Sequence, residues 1–334
     1  KNGYDWNGNF GMYAELEVKK AYEQKKGNDA DINFALIGAL QSVGLNADPV
    51  LVSTRDFGLP SKVHPQRSGF NYVIARVKIE NQDYLLDATE RYLPFGTLPI
   101  RCINDQGRLI SKDESSWIDL KPLHKLKNAV TMELTLRDDG SLKGELRLQH
   151  FGYSGFDARK ELINSTTEDY LGTIKKKLPG LEIEAFEVQN RDSVNKPLIE
   201  KMKIQIMGDN NGNADILYFN PFMIERYENN PFKSLDRLYP VDFGAPTEST
   251  YYTSVLLPEN WRVDESPSNT SFGLPNGGGR FLMNITTEQK RIVLASTVTL
   301  SKPIYSAQEY NLLREFFSRV VQAHQSQFVF KKIK

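Results

Sequence analysis

Cysteine is nearly absent from this chain. Its 334 residues include one, Cys102, so no disulfide closes within it and too few thiolates exist for a cysteine-built zinc site. Histidine is scarce as well: His64, His124, His150 and His324 stand far apart, none at metal-ligand spacing, and neither a metal nor another cofactor is expected. Surplus charge is missing too. Lysine plus arginine and aspartate plus glutamate number 42 each, which leaves no global field to draw the chain to nucleic acid or an anionic surface. No apolar run approaches the roughly 20 residues that span a bilayer, so no membrane span is expected. Fixed-period repeats and low-complexity tracts are absent, which excludes solenoid architectures. Methionine does not stand at the start: the chain opens on Lys1, and the expectation is that a signal sequence or upstream domain has been removed.

The remaining composition, 40% hydrophobic with 11% aromatic residues, is that of a folded protein. The length exceeds that of one ordinary core, so two or three domains are expected. Apolar residues three or four apart predict a helix from Met12 to Gln24 and a more deeply buried one built on Ile32, Phe34, Ala35, Leu36, Ile37, Leu40 and Val43, stopped by Gly44. Strands are expected at Val50–Ser53, Asn71–Ile79 and Asp83–Leu86, followed by a proline-bearing connection over Leu93–Lys127. Near Asn128 the pattern changes. Two alternating runs, Val130–Leu136 and Leu142–Leu148, flank Asp138-Asp-Gly140 and predict a hairpin. A helical stretch at about 156–178 follows, then strands up to Leu300, a helix over Ala307–His324 and a short strand at Phe328–Phe330. The resulting division is 1–127, an α+β domain with a buried helix on an antiparallel sheet, and 128–334, a β-rich, sandwich-like region ending in a helix and divisible into two subdomains.

Several motifs carry a resemblance. They are Trp6-Asn-Gly8, Lys26-Gly-Asn-Asp-Ala-Asp-Ile-Asn33, Ala47-Asp-Pro-Val50, Ser53-Thr-Arg55, Phe70-Asn-Tyr-Val73 and Leu86-Asp-Ala-Thr89. Together they resemble the papain/transglutaminase-like superfamily, in particular a subgroup common in Bacteroidetes and found in larger exported proteins between β-rich domains of unknown function. Tyr310-Asn-Leu-Leu-Arg-Glu-Phe-Phe317 resembles the β-rich partner domain of those proteins. The resemblance implies an exported, periplasmic or cell-envelope location. It also implies a site. In active members a cysteine opens the buried helix, a histidine begins the following strand, and an aspartate ends the next one and orients the imidazole.

Aligning on the helix and the strand pair puts Asp29 at the cysteine, Asn71 at the histidine and Asp87 at the aspartate. No Cys, Ser or Thr lies between Gly27 and Gln41, so a small shift of register restores no nucleophile. The expected site is therefore a degenerate triad, Asp29, Asn71 and Asp87, sharing one cleft, with no catalytic residue. Each also has a plain structural reading: Asp29 and Asp31 suit a helix start, Asn71 can satisfy backbone groups, and Asp87 can close a turn. The expected function is non-catalytic binding or scaffolding of a peptide, glycan or envelope protein. The alternative is a hydrolase working through the Asp29 and Asp87 carboxylates, one with a raised pKa. Cys102 reads as a packing thiol, Lys175-Lys-Lys177 as a solvated helix end, and Asp209–Asp215 as a turn rather than a calcium loop, since it lacks the sixth-position glycine and distal glutamate.

Overall fold

The computed structural model describes residues 3–64, 66–112, 115–207, 215–288 and 290–333. The Asp209–Asp215 stretch lies almost wholly outside them. The chain divides into two compact units, Lys1–His124 and Lys125–Lys334.

In the first unit a short helix α1 (Val18–Gln24) precedes the central helix α2 (Asp29–Ser42). A capping box starts α2: the Asn28 side chain accepts the Asp31 N–H, and the Asp31 carboxylate accepts the Asn28 N–H. Two donors that a helix start leaves open are thereby satisfied. Gly27 precedes the cap because a Cβ there would lie 2.5 Å from Asp31 Cβ. At the other end Gly44, with φ +81°, turns the chain out of the helix. The helix lies on β1 (Asn46–Val52) and β2 (Tyr72–Ile79), which continue into β3 (Gln82–Leu86), β4 (Gln106–Leu109) and β5 (Trp117–Asp119). The sheet is antiparallel throughout, in the order β3-β2-β1-β4-β5.

Two sequence expectations change here. The helix expected from Met12 is confined to Val18–Gln24, and the Leu16 N–H, which that helix would have bonded to Met12, is taken by Asp31 instead. The stretch Leu93–Lys127 is no mere exit: β4 and β5 complete the sheet of the first unit. At four and three residues they are too short to show a period.

In the second unit the predicted hairpin forms as β6 (Leu126–Leu136) and β7 (Leu142–Phe151). The helical stretch is two helices, α3 (Gly152–Asn164) and α4 (Thr167–Lys177), broken where the Thr166 side chain caps α4 by accepting the Asp169 N–H. There follow β8 (Leu181–Gln189), β9 (Leu198–Ile206), β10 (Ile216–Phe219), β11 (Thr247–Leu256), β12 (Trp261–Glu265), β13 (Thr270–Gly273), β14 (Gly279–Glu288) and β15 (Arg291–Leu300). An eight-stranded sheet runs β8-β9-β7-β6-β11-β15-β14-β13, antiparallel except where β11 runs parallel to β6. A final helix α5 (Tyr310–His324) leads to β16 (Phe328–Lys332), which sits between β10 and β12 in a three-stranded sheet. Apolar residues of both sheets and of the helices join in one core. The fold is thus α+β: a buried helix on an antiparallel sheet, then a β-rich, sandwich-like region with a C-terminal helix.

α5 buries Tyr310, Leu313, Phe316, Phe317 and Val320 along one stripe. Phe317 meets the rings of Tyr227, Phe232 and Phe316 edge-on. His324 ends that stripe, stacked on Phe222 at 4.2 Å, with Nδ1 accepting the Tyr227 N–H. Burial pushes its pKa down to about 3, so the ring is neutral and structural. Replacing Phe317 by Ala is expected to cost on the order of 3–5 kcal/mol, read from the denaturant midpoint of the second unit. An unchanged midpoint would remove Phe317 from the core.

Candidate functional site

The first residue of α2 is Asp29, and it is completely buried. Both carboxylate oxygens are occupied: Oδ1 accepts the Gly11 N–H at 2.6 Å and Oδ2 the Val73 N–H at 2.8 Å. Asp29 therefore ties the start of the helix to β2 and to the segment that precedes α1. One turn on, Asn33 also faces β2. Its amide donates to the Val73 carbonyl at 2.9 Å and to Asp87 Oδ1 at 3.1 Å, while its oxygen accepts the Ala88 N–H.

Asp87 follows the last residue of β3 and is likewise fully buried. Oδ2 accepts the Tyr72 hydroxyl at 2.7 Å, and Oδ1 accepts the N–H and hydroxyl of Thr89 at 2.9 and 2.7 Å. Arg101 completes the cluster. Its Nη2 donates to Tyr72 Oη at 3.0 Å and Thr89 Oγ1 at 2.7 Å and lies 3.6 Å from Asp87 Oδ2, while Nη1 pairs with Glu90. The guanidinium sits over the Trp6 ring, 4.6 Å from its centroid. Trp6 stacks on Phe10, which meets Tyr72 edge-on. The N-terminal segment thus lays the Trp6 ring over the arginine, the Phe10 ring against Tyr72 and one N–H on Asp29.

Asn71 is not part of this network. Its side chain accepts the Thr54 N–H and donates to Thr54 Oγ1, both at 2.8 Å. Successive residues of an extended strand face opposite sides, so a one-residue error of register exchanges the group that meets Asp87 for its neighbour. The strand begins at Tyr72, and Tyr72, not Asn71, reaches the aspartate. Sequence reasoning also missed Asn33 and Arg101. The spacing of Asn33 four residues after Asp29 on a helix was the available signal; Arg101, in the single 3-10 turn Ile100–Cys102, offered none.

Burial drives the electrostatics. Asp29 is pushed up to about 7 by desolvation, with Asp87 adding to the rise and the two N–H contacts opposing it. Tyr72 is held well above its ordinary range by burial and by Asp87, so the phenol keeps its proton. Cys102 lies in the same core with no exposure, and desolvation raises its thiol pKa far above the usual value. It is inert as a nucleophile. Among the described residues no group of His, Cys, Asp or Glu could hold a metal ion.

Residues 215–330 match the model of a domain of unknown function with a solved structure, DUF3858. Over 99% of its length the chain is similar in fold to a crystal structure from Parabacteroides distasonis described as a "putative protease", with a TM-score of 0.51 and 11% identity. The chain covers 49% of that protein, about half its length. No functionally curated protein matches.

The raised pKa of Asp29 fixes a pH dependence. An unfolded aspartate releases its proton near 3.8, the folded one near 7, so between these values the folded state holds a proton that the unfolded state has lost. The stabilisation from this group is full below about 4 and is lost as pH rises through about 7. Asp29→Asn removes the titration. Urea midpoints of the first unit should fall more steeply between these limits in the wild type than in the variant. Parallel curves would show that Asp29 titrates normally.

Proposed function

We propose that residues 1–124 are a transglutaminase-like domain that has lost acyl-transfer chemistry and persists as a binding or scaffolding module. In the resembled superfamily a cysteine opens the helix, a histidine begins the next strand and an aspartate ends the one after. In this reading Asp29 takes the first seat and Asp87 the third. The second falls to Tyr72 rather than Asn71.

The observation that carries this reading is the closed state of the two acids. Both are fully buried and all four of their oxygens are engaged by partners within the unit. A carboxylate in place of a thiolate is a weak nucleophile toward an amide, and a phenol that keeps its proton cannot act as a base near neutrality. The cluster then serves to anchor the N-terminal segment. Its partner, a peptide, glycan or envelope protein, meets other surfaces, and the module works in the exported or periplasmic setting that the resemblance implies. The similar protein's description as a protease supports descent from a hydrolytic fold, not retained activity.

One observation favours a second reading. Asp29, with a pKa near 7, has the proton affinity of a general acid at working pH, as a paired-carboxylate hydrolase requires. That mechanism needs the segment carrying Trp6, Phe10 and Gly11 to move aside.

The pure chain, incubated with peptide, amide and glycoside substrates and with amine acceptors from acid to alkaline pH, is expected to give no turnover above an Asp29→Ala control. Turnover that Asp29→Ala abolishes would sink the proposal and establish the carboxylate mechanism.

A further inference from the structure

The eight-stranded sheet of the second unit has β8 at one edge and β13 at the other, and the two edges are finished differently. On β8, Glu182, Glu184 and Glu187 and a bulge between Ile183 and Ala185 oppose pairing with another chain. β13, Thr270-Ser-Phe-Gly273, carries neither a charge nor a bulge. The hairpin that joins it to β14 fixes which of its backbone groups are free. The Leu274 N–H donates to the Gly279 carbonyl, and bonded pairs alternate along an antiparallel ladder, so Phe272 with Phe281 and Thr270 with Met283 are the next bonded pairs. On the far side of β14 the bond from the Ser301 N–H to the Gly278 carbonyl sets the same phase. Ser271 and Gly273 therefore turn their N–H and C=O groups away from the sheet. Both residues are exposed, and among the described residues nothing pairs with these groups.

A free edge of this kind presents donors and acceptors at the repeat of every second residue of an extended chain, about 6.8 Å. Another extended main chain matches both at once. Side chains have a place as well, because a groove of about 390 Å³ lies between β13, the chain leading into it and the C-terminal half of α5. Phe272 lines it, stacked on Phe281 at 4.9 Å and meeting Phe316 edge-on, with the Arg319 guanidinium 4.2 Å from its ring centroid. Met283, Gln322 and Ser326 line it too. Arg319 in the groove and Arg280, opposite Gly273 on β14, are both exposed, and neither pairs with an acid among the described residues. Glu265 is the one acid in the lining, so the two arginines give this edge a positive balance.

We propose that β13 is a docking edge for an extended peptide segment of a partner protein, which adds to the sheet as a further strand and lays an acidic side chain against Arg319. The inference concerns the second unit alone and stands whatever role Asp29 has. Random hexapeptides displayed on phage and selected on the whole chain are expected to enrich for acidic, proline-free sequences, whose synthetic forms bind saturably in fluorescence anisotropy. Bound peptide should slow hydrogen exchange at the amides of Ser271 and Gly273, which face solvent in the free chain. Ser271→Pro deletes one outward donor at a position where an edge strand accepts proline, and Arg319→Gln deletes the charge. Each, checked for an unchanged melting temperature, should weaken binding by about tenfold. The proposal is overturned if no peptide is enriched, or if Ser271 and Gly273 exchange as fast with peptide bound as without it. Peptides that bind both variants as well as they bind the wild type overturn it too. Sedimentation that shows a dimer dissociated by Ser271→Pro makes a second copy of this chain the occupant and overturns it as well.

Discussion

A carboxylate removed from water must find compensation inside the protein, and the first unit is organised around how Asp29 does so. The N-terminus of α2 supplies a favourable dipole, β2 supplies one N–H, and the segment before α1 supplies another. Those contacts join three stretches of chain that are remote in sequence. The same demand recurs at Asp87, where Tyr72, Asn33, Thr89 and Arg101 converge. Asp87 and Glu90 share Arg101, while Asp29, desolvated by burial and facing the charge of Asp87, holds its proton far above the usual range.

The second unit solves a similar problem with different parts. Glu200 has no exposure, and a histidine and a tyrosine take its two oxygens. Here the acid stands on the strand next to the edge of a broad sheet, and its partners come from β7 and α4 instead of from a helix start. In both units a buried acid fixes the groups around it, but the surroundings differ: the first cluster is covered by its own chain, whereas His150 and Tyr170, the partners of Glu200, border an open cleft.

Much of this was legible in the sequence where a local signal matched the global outcome. Asn28 and Asp31 at the helix start, Gly44 at its end, the Asp138-Asp-Gly140 turn and the stripe from Tyr310 to Val320 each adopt the structure that their chemistry favours. Where reading failed, tertiary partners decided. Leu16 gave up helical bonding for a distant acid, and β4, β5, β12 and β13 are too short for periodicity to mark them. At Asn71 the strand was found, but facing is a matter of single-residue register: Asn71 bonds Thr54, and its neighbour Tyr72 reaches Asp87. Lys175, Lys176 and Lys177 are the exposed helix end that was expected, and Lys177 also pairs with Glu225, 48 positions away.

Cys102 carries a practical consequence. As the one sulfhydryl in the chain, wholly enclosed beside Tyr72 and Ile74, it can meet an alkylating reagent only when the surrounding sheet opens. The rate of its labelling is then a clock for local breathing of the first unit.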